Sequence, residues 1–181
     1  ICDRSDEPGR DAARAAWTPP FLQFAVALNG HMRMPPGAES WSADTHDDFR
    51  RFRYNCGDGL SDAAKVCGPE VVLQELCRPV FEALPGVEGD AAAQRVVEGG
   101  LQAARAVAPQ AKLSQDEPVG SILAGVVRIP AGAPQDVRVA ALLLLSALAP
   151  WLNHHPAHLS PALACVLGAL PGPGDRVAAA A

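Results

Sequence analysis

Leu84-Pro85-Gly86, Ile129-Pro130-Ala131-Gly132 and Leu170-Pro171-Gly172 each close an apolar stretch with helical spacing. Their prolines stand 45 and then 41 positions apart. Between them, Val107-Ala108-Pro109 and Leu148-Ala149-Pro150 close two more such stretches, again 41 apart. Proline ends a helix because it lacks the N–H and its ring collides with the carbonyl four residues back. A two-helix unit repeating every 40–47 residues or so is the period of HEAT and armadillo arrays. Such a unit cannot bury its apolar face alone, so it stacks on its neighbours. The sequence therefore predicts an all-α, HEAT/ARM-type α-solenoid. This is a right-handed superhelix of antiparallel helix pairs, expected as a fragment of a longer array.

Composition agrees with that reading. Of 181 residues, 49% are apolar, with Ala and Leu prominent, and only 5% are aromatic. Small side chains let helices approach closely. Valine does not occur in the alternating runs of a half-buried sheet. A net charge of −5 argues against a nucleic-acid-binding surface, which needs a basic footprint. It admits a basic protein partner. The five cysteines, Cys2, Cys56, Cys67, Cys77 and Cys165, contain no C-x-x-C pair and mostly sit in helical apolar contexts. They read as buried, reduced thiols. Ile1 to Arg10 is polar and charged, unlike a signal peptide. The apolar run Val137 to Leu152 contains Arg138 and Ser146 and is short for a membrane span.

Residues 1–19 read as a linker or an unplaced helix, and residues 20–181 as about four helix pairs, the last incomplete. Pro20 to Met32 is expected to be helical, with Pro20 in the first turn. The next helix is expected from about Asp47 to Cys67, with Ser42, Asp44 and Thr45 as candidate caps. Its stripe is Phe49, Phe52, Cys56, Leu60, Ala63, Ala64 and Cys67, with a bend at Gly57 and Gly59. Glu70 to Leu84 follows, kinked at Pro79. In Ala91 to Ala108, Val97, Leu101, Ala104 and Ala108 face inward. Arg95, Glu98, Gln102 and Arg105 make a polar stripe on the other side. Pro109 to Pro118 is a loop. Val119 to Ile129, Asp136 to Leu152 (capped by Asp136), Ala157 to Leu170 and a start at Asp175 complete the helices.

No catalytic or cofactor pattern emerges. His154-His155-x-x-His158 flanks Pro156 without a Cys or carboxylate at ligand spacing, so no metal site is expected and the histidines read as a solvated inter-helix loop. Gly57-Asp58-Gly59 lacks the Lys and Ser/Thr of a phosphate loop. Arg50, Arg51 and Arg53 lie beside Asp44, Asp47 and Asp48 and read as a solvated, partly self-paired face. Because the second helix of a HEAT pair usually lines the concave, partner-binding surface, Glu98 and Gln102 are candidate partner-binding residues.

Four separated motifs resemble one family. Phe21-Leu22-Gln23-Phe24 precedes Met34-Pro35-Pro36. Trp41 precedes Asp47-Asp48-Phe49-Arg50-Arg51-Phe52-Arg53-Tyr54. Val66-Cys67-Gly68-Pro69-Glu70 forms a turn. Asp136-Val137-Arg138-Val139-Ala140-Ala141 precedes Trp151, His155-Pro156 and Leu159. In this order the chain from Pro20 to Leu170 resembles an interior slice of the importin-β superfamily, nearest its transportin-SR branch. The resemblance implies a nuclear transport receptor that is not an enzyme and needs no cofactor. It would bind protein cargo (basic, Arg/Ser-rich), the GTPase Ran and nucleoporins, without nucleic acid or membrane, and move between cytoplasm and nucleus. The alternative is a HEAT-repeat scaffold or assembly subunit without Ran-dependent transport.

Overall fold

The computed structural model describes residues 10–169. The Leu170-Pro171-Gly172 phrase, Cys2 and the helix expected from Asp175 lie outside the described residues. Within them are eight α-helices and no β-strand: α1 (Arg10–His31), α2 (Ala43–Cys67), α3 (Pro69–Ala83), α4 (Ala91–Val107), α5 (Val119–Val126), α6 (Gln135–Ala147), α7 (Ala149–His154) and α8 (Leu159–Gly168). Helix α1 packs on α2, and α3 on α4. Across these pairs, α1 meets α3 and α3 meets α5, while α2 meets α4 and α4 meets α6. The result is an all-α, HEAT-type stack of helix pairs in two layers, α1/α3/α5 and α2/α4/α6.

The core runs between the layers. Leu60, Leu73, Leu76, Val97, Leu101 and Leu144 are fully buried within it. Each such side chain contributes about 1.5–3 kcal/mol relative to exposure. The inward positions expected on the fourth helix, Val97, Leu101, Ala104 and Ala108, are all buried. The stripe on α2 is buried from Cys56 to Cys67, but Phe52 is 43% exposed.

Several local expectations are corrected. Of the two readings of residues 1–19, linker or unplaced helix, the described part, 10–19, follows the second and belongs to α1, so Pro19 and Pro20 lie inside that helix rather than in its first turn. This N-terminal half is held from outside: Arg14 Nε donates to the Val66 carbonyl at 2.9 Å. Helix α2 starts four residues early, at Ala43, because Ser42 is the cap and its hydroxyl accepts from the Thr45 N–H at 3.2 Å. Gly57 and Gly59 do not interrupt α2; they mark close approaches. A Cβ would stand 3.2 Å from Ala106 at Gly57 and 2.8 Å from Leu28 at Gly59. The α2–α3 turn uses Gly68 at φ 97, a left-handed value that disfavours side chains, with Pro69 opening α3. Helix α3 continues through Pro79.

Asp136 is not a cap: Pro134 occupies that place, and the Asp136 carboxylate accepts from Val137 N–H inside the first turn. The single helix expected over 136–152 is two, α6 and α7, meeting at Leu148. Pro150 has no N–H to offer the Ser146 carbonyl, so the α-helical ladder breaks there. The helix expected from Ala157 begins at Leu159, after a 3-10 turn over Pro156–His158.

Candidate functional site

The α2–α4 contact carries the buried ion pair of the described residues. Both begin with firm caps, Ser42 for α2 and Asp90 for α4, whose carboxylate accepts from the Ala92 N–H at 2.7 Å. Small residues then let the two helices close on each other, Gly57 against Ala106. Ser61 Oγ donates to the Ala106 carbonyl at 3.2 Å and Gln110 Nε2 to the Ser61 carbonyl at 3.3 Å, which fixes the register.

Within that register Arg53 faces Glu98. The two make a bidentate pair, Nη1 to Oε1 at 2.7 Å and Nη2 to Oε2 at 2.5 Å. Their side chains are 14% and 7% exposed. Arg53 Nε also donates to the Met32 carbonyl at 2.7 Å, and the guanidinium lies 4.8 Å from the centre of the Phe49 ring. Arg53 thus ties α2 to the end of α1 and to α4. Arg50 and Arg51 pair along their own helix with Asp47 at 3.1 Å and Asp48 at 3.6 Å, exposed as the sequence suggests. Arg53 departs from that solvated face because its partner is 45 positions away.

The two candidate partner-binding residues therefore separate. Glu98 is 5% exposed and both of its oxygens are used internally. It is an internal strut in this conformation, not an outward contact. Gln102, one turn on, is half-buried and lines an open groove of about 470 Å³ together with Arg50, Tyr54, Asp58 and Arg105. Tyr54, 62% exposed, belongs to this groove but carried no signal of its own in the sequence. The groove offers guanidinium and amide donors, a phenol and one carboxylate among its lining residues.

His154 is exposed as expected, but His155 and His158 are not. Instead of a solvated loop, His155 stacks on the buried Trp151 at 4.0 Å between ring centres, with 15° between planes. Its Nε2 lies 3.0 Å from the Leu113 carbonyl. His158 Nε2 lies 2.9 Å from Asp116, and Trp151 Nε1 donates to the Gln115 carbonyl at 2.9 Å. Together they pin the loop before α5. The missing carboxylate comes from 42 positions upstream, which spacing along the chain cannot reveal. Among the described residues no group of His, Cys, Asp and Glu has the arrangement to hold a metal.

The described cysteines are not activated. Burial pushes the Cys77 thiol up to about 12 and raises Cys56 and Cys165 as well. At Cys67 burial also dominates, opposed by the charge of Arg14. Because thiolate is the nucleophile, these shifts oppose reactivity.

The chain is similar to the mRNA transport regulator MTR10 of Saccharomyces cerevisiae. They are 27% identical over 151 residues, 82% of this chain and 15% of that protein. It is similar also to Transportin MOS14 of Arabidopsis thaliana, at 27% over 165 residues, 90% of this chain and 17% of that protein. An uncharacterized protein of Schizosaccharomyces pombe is 30% identical over 113 residues, 62% of this chain and 12% of that protein. The chain thus spans less than a fifth of the length of these relatives. No family model matches it.

Proposed function

We propose that this chain forms part of a nuclear transport receptor of the importin-β superfamily, of its transportin-SR branch. The receptor binds protein cargo and Ran, meets nucleoporins in transit, and moves between cytoplasm and nucleus without catalysing a reaction. One observation carries the reading: likeness to MTR10 and Transportin MOS14 runs across 82% and 90% of the chain. Four motifs spread from Phe21 to Leu159 support it, on a fold of stacked helix pairs. Layer α2/α4/α6 supplies the recognition surface, including Gln102, Tyr54 and Arg105. Ran-GTP releases or admits cargo by favouring one curvature of the stack over another, a shift that requires different affinities for the two shapes. The net charge favours basic cargo at long range, while the groove beside Gln102 is lined by arginines. A basic cargo segment therefore lies on acidic surface elsewhere.

Capture of Ran by the immobilised chain tests this reading. Preference for the GTP-loaded over the GDP-loaded form is expected. Equal capture of both forms favours a HEAT-repeat scaffold without Ran-dependent transport.

A further inference from the structure

A second cleft, of about 580 Å³, lies beside the first, between the α1–α2 connection and the N-terminal half of α4. Its wall combines Arg33, Arg95 and His31 with Phe49, Phe52 and Pro35. No Asp or Glu is among its lining residues. This is a cationic hollow in a chain whose net charge is −5.

Its two arginines, like Arg105, Arg128 and Arg138, pair with no carboxylate among the described residues. Arg50, Arg51, Arg53, Lys65 and Arg78 each meet a carboxylate. The side chains of Arg33 and Arg95 meet none among the described residues, and Arg33 Nε is closed off from solvent without an acceptor. A carboxylate matches the planar fork of a guanidinium in two parallel bonds, and neither arginine has one to hold among the described residues. Beside them Phe52 is 43% exposed, an apolar surface left uncovered by the described residues.

We propose that this cleft docks an acidic linear segment of a protein partner, with one apolar side chain seated on Phe49 and Phe52 and its carboxylates on Arg33 and Arg95. Charge decides the class of partner. At physiological salt the field of exposed charges fades over about 8 Å, so a short segment feels the local arginines. A nucleic acid extends far beyond that length and meets a net negative protein. The inference stands apart from nuclear transport, because Ran takes no part in the binding.

The test uses an array of acidic peptides, each carrying one Phe or Leu, beside counterparts with Gln for Glu and Asn for Asp. The best binder is then titrated in solution against the 181-residue chain. Binding should require the carboxylates and weaken as salt rises. Arg95→Glu should weaken it by about tenfold or more, and Arg33→Gln and Phe52→Ser by several-fold. Arg51→Glu makes the same charge change on exposed surface outside the cleft and should leave affinity within about twofold. Circular dichroism checks the fold of each variant, and Arg95→Gln replaces Arg95→Glu if helicity is lost. Equal retention of the Gln/Asn counterparts, no retained acidic peptide, equal effects of Arg51→Glu and the cleft variants, or tighter binding of single-stranded oligothymidine overturns the proposal. Because Ran is absent, failure here leaves the Ran capture result standing, and the reverse.

Discussion

Helices α4 and α8 invert the usual link between apolar content and burial. Helix α4 contains Arg95, Glu98 and Arg105, yet nine of its residues are buried. Helix α8 carries no charged residue, yet only Ala162 is buried, and Leu159, Leu163, Val166 and Leu167 are 38–64% exposed. The difference is in neighbours. Helix α4 is covered by α2, α3 and α6, whereas α8 meets chiefly the short turn that precedes it. Among the described residues α4 has a layer on each side and α8 does not, and burial follows those neighbours rather than the composition of the helix.

Substitutions on α4 should accordingly cost far more than those on α8. The largest loss is expected for Glu98→Ala, which strands Arg53 as a buried unpaired cation and should destabilise by roughly 3–5 kcal/mol in chemical denaturation. Replacing both members, Arg53→Met with Glu98→Leu, should recover most of that loss. If the single and double variants are equally unstable, the ion pair is not what joins α2 to α4.

Next comes Leu101→Ala, at roughly 2–5 kcal/mol, from lost apolar transfer and the cavity left among covered helices. A loss below about 1 kcal/mol would show that the α4 interface collapses freely, and the contrast with α8 would narrow.

Cys77, buried on α3, gives a pH-dependent measure of the core that α3 shares with α4. Its thiol stands at about 12 in the fold against 9.0 ordinarily. The folded state therefore holds the proton more tightly than the unfolded one. The associated stability is fully present below pH 9 and is lost as pH rises toward 12. Thermal melts of the wild-type chain should fall across that window more steeply than those of Cys77→Ala. Parallel curves would mean that the thiol is not shielded.

The smallest effect is expected on α8. Leu163→Ser, at a half-exposed position, should change stability by less than about 0.5 kcal/mol and reduce self-association in sedimentation. A loss comparable with Leu101→Ala would reveal a layer covering α8.

The α4 stripe shows how far the sequence could be read. Val97, Leu101 and Ala104 recur at helical spacing, and that alone places them on one face. Glu98 and Gln102 share the opposite face in the same pattern, so both read as outward. Their fates differ because Arg53 reaches Glu98 from 45 positions away, and periodicity within one helix says nothing of what stands across from it. His158 and Asp116 repeat the lesson over 42 positions. The expectation at Pro20 failed for a related reason: a proline has a preferred helical position, but contacts such as Arg14 with the Val66 carbonyl hold the preceding residues in the helix.

The order of apolar and proline positions by itself determined that this chain forms paired helices in a stack, since period and breaker residues act locally on the backbone. Which charges are buried and which grooves are cationic were decided only in the tertiary structure. These depend on side chains far apart in sequence meeting in a place that water has left.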